Sequence, residues 1–134
     1  MNCMEFKAEK DGWILSFDDG FVQLIQIDFR LGLLLSDGSG KAQIHIETPC
    51  LLKVADSEIL LTPSKASSLG PILSLFNSRI INVMVNNTGC LMVRFGDGQI
   101  LEVPPDKSYE SWQINMPSIG SMMVCSPGGK VSLF

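Results

Sequence analysis

The single histidine of this 134-residue chain lies in His45-Ile46-Glu47. On an extended strand that spacing turns imidazole and carboxylate to the same side, the raw material of acid–base chemistry or of a metal site. Zinc-dependent deamination uses His-x-Glu with a later Pro-Cys-x-x-Cys, whose two thiolates complete the ligand set. Here Pro49-Cys50 follows at once, but position 53 is Lys53, and one short strand would have to carry ligands that the chemistry draws from two helices. The pair is therefore expected to be a solvent-facing His and Glu on a half-exposed strand. Zinc sites in general want four N or S ligands at close, paired spacings, whereas Cys3, Cys50, Cys90 and Cys125 are scattered with no Cys-x-x-Cys. No metal and no cofactor is expected.

Nucleophilic catalysis has little to work with. A Ser-His-Asp arrangement must use His45, and no Gly-x-Ser-x-Gly elbow presents a serine. Asp28, Glu47, Glu102 and Glu110 could supply a carboxylate pair for glycosidic chemistry only if the fold brings two of them together. Asp37-Gly38-Ser39-Gly40 lacks the alternating oxygen ligands and terminal Glu of a calcium loop, and no glycine cluster opens a helix to cradle phosphate. If the chain holds a small ligand or runs a reaction, Arg30, His45, Glu47, Arg94 and Glu110 are the polar side chains expected to line the pocket.

The elements that must position these residues read almost entirely as strands. Trp13, Leu15 and Phe17 alternate, Asp18-Asp19-Gly20 looks like a hairpin turn, and Phe21 to Asp28 would be the return strand. Leu31 to Ser36, then Ala42, Ile44 and Ile46 alternating with polar neighbours, continue the pattern. Cys50 to Val54 and Ile59 to Leu61 are short apolar runs. Thr62 to Ser68 carries helix-start residues, Gly70-Pro71 should interrupt, and Pro71 to Phe76 allows one more turn, so one short helical connector is predicted here. Strands resume at Arg79 to Val85, Cys90 to Phe95, Gln99 to Val103, Tyr109 to Ile114, Ser121 to Cys125 and Lys130 to Leu133, joined by Gly- and Asn-rich turns. The prediction is a single all-β domain over 1–134, an antiparallel β-sandwich or partly open barrel of about ten short strands. Leu31, Leu33, Leu35, Asp37 and Gly38 match Leu91, Val93, Phe95, Asp97 and Gly98 in spacing, which raises half-repeats over 13–61 and 79–133, two similar β-meanders, although Leu34 facing Arg94 breaks the match.

Composition narrows the function classes. Charged residues are 18% and hydrophobic ones 46%, too apolar for disorder. Fourteen acids against ten bases give a net charge of −4, which argues against nucleic acid as a partner. No run of apolar residues is long enough to span a bilayer, and the N-terminus has neither signal-peptide length nor a hydrophobic stretch before Cys3. A cytoplasmic address with reduced thiols is expected, and Cys50, Cys90 and Cys125, each beside aliphatic residues, are read as small core hydrophobes. Trp112 is read as a core anchor, sharing a strand face with Glu110 and leaving Tyr109 on the other.

Gly12-Trp13-Ile14-Leu15, the strand–Asp-Gly–strand units, Tyr109-Glu110-Ser111-Trp112 and Pro127-Gly128-Gly129 together resemble a family of short bacterial β-rich proteins of unknown function. The resemblance implies a single β domain and assigns no catalytic residue. Small size, acidity and few catalytic residue types point to a non-enzymatic binding protein, and within that class to an immunity protein that neutralises a basic, nuclease-type toxin through charge steering. Asp18, Asp19 and Glu58 are the acids expected on exposed turns at such an interface. The alternatives are a self-assembling subunit that buries its surplus apolar surface as a homo-oligomer, or a ligand-binding or enzymatic β-barrel.

Overall fold

The computed structural model describes residues 4–134. Cys3 lies outside them. The strands are β1 (Phe6–Glu9), β2 (Gly12–Ile27), β3 (Leu31–Asp37), β4 (Gly40–Ile46), β5 (Cys50–Val54), β6 (Ser57–Leu61), β7 (Arg79–Asn86), β8 (Leu91–Phe95), β9 (Ile100–Val103), β10 (Trp112–Met116), β11 (Ser121–Cys125) and β12 (Val131–Leu133). They form one 12-stranded sheet in the order β12-β11-β10-β4-β3-β2-β7-β8-β9-β5-β6, with β1 beside β2. The chain is all-β and antiparallel, and the sheet does not close.

The order divides into two arms that meet at β2. The first arm is the C-terminal half of β2 with β3, β4, β10, β11 and β12; the second is its N-terminal half with β7, β8, β9, β5 and β6. Each arm borrows its outer hairpin from the other stretch of chain: β5–β6 follows β4 in sequence but pairs with β9, while β10–β11 follows β9 and pairs with β4. Alternation then sends one face of each strand inward. Leu31, Leu33 and Leu35 of β3, Ile44 and Ile46 of β4, Leu91 and Val93 of β8 and Trp112 and Ile114 of β10 are all buried in one core. Full burial of each such side chain contributes about 1.5–3 kcal/mol before entropy is counted.

Two predicted features are corrected. Asp18-Asp19-Gly20 is not a hairpin: β2 runs through it for 16 residues. The register against β7 shifts between Ser16 and Gly20, and Asp19 sits at φ 54, so the acids form a bulge. Asp and Asn tolerate that left-handed conformation, which is why a bulge and a turn share one sequence signature. The central helix is also continuous across Gly70-Pro71, as a 3₁₀ helix over Ala66–Leu75. Its buried residues, Leu69, Ile72 and Leu75, recur every third position, matching three residues per turn. The cap residue Lys65 makes no side-chain cap; Ser68 Oγ instead accepts from Thr62 N–H, and its single proton is within reach of both the Lys65 and Thr62 carbonyls.

Beyond the shared β2 and the common core, the arms are joined at the β7–β8 turn. Trp112 Nε1 donates 2.9 Å to the Gly89 carbonyl in the β7–β8 turn, so the predicted core anchor also joins the arms. Gly129, in the last turn, packs backbone to backbone on Thr88 and Gly89, with both glycines at positive φ. Gly128 N–H donates 2.7 Å to the Asp106 carbonyl, fixing that turn from the other side.

Candidate functional site

The β2 bulge opens a cleft of about 740 Å³. Phe17, Phe21 and Met4 give it apolar walls, and among the described residues Glu5, Asp18, Asp19 and Asp37 bring four carboxylates against one cation, Lys7. Asp37 is spoken for. Its Oδ2 accepts Asp18 N–H at 3.0 Å, and its Oδ1 accepts Ser39 N–H, Ser39 Oγ–H and Gly40 N–H at 2.7, 2.8 and 3.1 Å. Burial disfavours its ionised form, but these four donors outweigh that and hold its carboxyl below the ordinary range. Asp37 thus locks the β3–β4 turn to the bulge. Asp18, Asp19 and Glu5 make no ion pair among the described residues, which leaves their charge for an incoming cation. Among the described residues that line the cleft there is neither histidine nor cysteine, and none of them activates Ser16 or Ser39 as a nucleophile.

Asp18 and Asp19 are therefore together in the cleft, and Glu58 is not. It lies on β6 at the rim of the second arm, 4.0 Å from Lys53. The cleft residues that the sequence reading missed are Glu5, Lys7, Phe17, Phe21 and Asp37. Only Asp37 left a trace, as the acid of an Asp-Gly turn, and its link to Asp18 crosses 19 residues.

The second predicted group is partly assembled. His45 faces outward on β4 beside Gln113 of β10, with Gln113 Nε2 and His45 Nδ1 3.3 Å apart. Burial and the Arg30 charge push the imidazole pKa down, against partial opposition from Asp28 and Glu47. Arg30 itself pairs with Asp28 at 3.6 Å. Burial, then the neighbouring Glu47 charge, pushes the Glu110 carboxyl up. Arg30, His45, Glu47 and Glu110 thus gather at one end of the first arm, while Arg94 projects from β8 in the second. Glu110 precedes β10 rather than lying on it, because the strand starts at Trp112 and not at Tyr109. The loop's course follows Asp106, whose Oδ1 accepts the Ser108 and Tyr109 N–H groups.

Of the thiols, Cys50 and Cys125 are core residues, and burial pushes Cys50 up to about 12. Cys90 departs from the expectation: it is half-buried, with Sγ 3.8 Å from Glu102 Oε1, and burial followed by the Glu102 charge puts it at about 11. Such a thiol is a poor nucleophile near neutral pH. No helix among the described residues is long and apolar enough to cross a membrane.

A protein family described as a family of unknown function (DUF6188) matches residues 13–134, and the chain belongs to it. No curated protein and no solved structure matches the chain.

Proposed function

We propose that this chain is a non-enzymatic binding protein whose acidic cleft at the β2 bulge receives a basic segment of a protein partner. The observation that carries this is the joining of Asp18, Asp19 and Glu5, which make no ion pair among the described residues, with apolar walls from Phe17 and Phe21 in one cleft of about 740 Å³. Arginine and lysine fit such a site because their aliphatic stems lie along apolar surface while their charged heads meet carboxylates; arginine also stacks on aromatic rings. The specific form of this reading is a bacterial immunity protein, acting in the cytoplasm, that occludes a basic, nuclease-type toxin. The net charge of −4 supports it by favouring encounter with a cation-rich partner.

The test is titration of an arginine-rich peptide against the full chain and its Asp18→Asn/Asp19→Asn variant. Asn keeps the left-handed preference at position 19, so the bulge survives the change. Binding should weaken about tenfold in the variant and fall as salt rises through the range where exposed charges are screened. Glu58→Gln, far from the cleft, should leave binding unchanged. Equal binding by wild type and the double variant overturns the reading.

A further inference from the structure

We infer that a cleft on the outer face of the second arm is a binding site for a soft monovalent cation, Cu(I) by class, held by the sulfur atoms of Met84, Cys90 and Met92. The cleft measures about 330 Å³ and opens where the β1–β2 turn meets β2, β7 and β8. Strand register brings the sulfur side chains to it from one face. Met84 and Met92 stand directly opposite each other on β7 and β8, a pairing that sets Cβ atoms about 4.5–5.5 Å apart. Cys90 lies two positions before Met92, and residues two apart on a strand share a face. The Asn86 N–H, donating 3.0 Å to the Cys90 carbonyl, continues the ladder that far. A contact agrees with the register: Cys90 Sγ is 3.8 Å from Glu102 Oε1, and Glu102 is the residue paired with Met92 on β9. All three sulfur residues line the cleft and are half-buried, open to an ion from solvent.

One thiolate and two thioethers are soft donors, and that combination selects Cu(I) over harder ions. Among the described residues lining the cleft there is one cysteine and no histidine, so a zinc set is not on offer. Counting histidines and cysteines, which sets zinc aside from the sequence, does not reach thioethers carried on neighbouring strands. The surroundings suit a cation. Ile14, paired with Met84, gives an apolar wall, and at the rim Glu9 and Asp11 stand against Lys10. Without the ion the thiol is protonated, held at about 11 by burial and then by the Glu102 charge. Binding releases that proton to solvent as the sulfur–metal bond forms, and the ion's charge offsets the repulsion between thiolate and carboxylate. Lys53 Nζ, 2.5 Å from Glu102 Oε2, holds the carboxylate in place. Neither methionine nor Cys90 lines the acidic cleft, so this inference stands apart from that reading.

The test is titration of Ag(I) into the full chain with isotope-labelled methionine methyl groups, followed by NMR. Ag(I) shares the charge and donor preference of Cu(I) and does not change oxidation state under these conditions. A Cys3→Ser background keeps that thiol from competing. One ion should bind per chain, shifting the Met84 and Met92 methyl resonances and leaving those of the core residues Met116 and Met123 in place. Met84→Leu/Met92→Leu conserves side-chain volume and keeps the thiol, and it should weaken binding about tenfold or more, the scale on which even residues behind a ligand act. Cys90→Ser should weaken it further. Circular dichroism checks that each variant folds. Excess Zn(II) should not displace the ion. Absence of binding overturns the inference, as does displacement by Zn(II). Full affinity in the double methionine variant overturns it too, by placing the ion on a thiol alone, and full affinity in Cys90→Ser does so by placing it elsewhere.

Discussion

Gly128 and Gly129 offer a matched pair that isolates one contact. Their φ angles are nearly equal, 88° and 94°, so replacing either by Ala incurs a similar backbone penalty, about 1–2 kcal/mol. Their surroundings differ. A Cβ on Gly128 meets nothing within 4 Å, whereas one on Gly129 runs into the Thr88 carbonyl oxygen and comes within 3.2 Å of Pro105 Cβ. Backbone cannot give way as a side-chain tip does, so Gly129→Ala must push the last turn off the β7–β8 turn that also receives Trp112. Strain plus partial loss of that junction should cost about 3–5 kcal/mol in total, a large share of the 5–15 kcal/mol of a typical domain. Urea unfolding followed by tryptophan fluorescence reads it directly, because Trp112 is buried at this junction. With a slope of about 2 kcal/mol/M, Gly129→Ala should lower the midpoint by about 2 M and Gly128→Ala by less than about 1 M. Gly89 and Gly98, both at φ 93°, repeat the comparison, since a Cβ on Gly89 lies 2.7 Å from Gly129 Cα and one on Gly98 meets nothing. Midpoints for Gly128→Ala and Gly129→Ala that coincide would refute the close-packing argument.

Two ionisable groups at the end of the first arm should tilt stability in opposite directions. His45 has its pKa lowered in the folded state, so the unfolded chain takes up the proton first and stability drops as pH falls from about 7 through the folded pKa; His45→Gln should flatten that slope in unfolding midpoints measured across the range. Glu110 has its pKa raised, so its contribution is complete below the unfolded value and is lost as pH rises through the folded one. Glu110→Gln should therefore be more stable than wild type at neutral pH and indistinguishable from it below about pH 4, where the unfolded carboxyl is also protonated.

Period-two alternation made most of the strands legible, because burial on one face of a sheet leaves a mark at every second residue of each strand. It failed where two backbone solutions share one signature. Asp-Asp-Gly serves a hairpin or a bulge equally well, and only the pairing of β2 with the same strand, β7, before and after Asp19 decides for the bulge. β1 left no pattern because three of its four residues are exposed. The 3₁₀ helix was readable as helical and not as continuous, because Gly70-Pro71 reads as a break in sequence while the helix runs through both residues.

The candidate site was legible only as far as its local part. Asp18 and Asp19 are adjacent in sequence and exposed together, so a turn rule found them. Asp37 and Glu5 reach the same cleft through pairings on either side of β2, Asp37 by way of β3 and Glu5 by way of β1, and neither pairing marks the residues themselves. Glu58 shows the converse. It shares the acidity and the turn that recommended Asp18, yet the β5–β6 hairpin leaves its sequence neighbour β4 for β9 and carries Glu58 to the far rim of the other arm. The borrowed hairpins that hide the site also explain why the Tyr-Glu-Ser-Trp and Pro-Gly-Gly segments belong together. β10 returns to the first arm bearing Trp112, the final turn follows bearing Gly129, and both close on the turn at Gly89. One junction thus joins the outer hairpin of the first arm to the β7–β8 turn of the second.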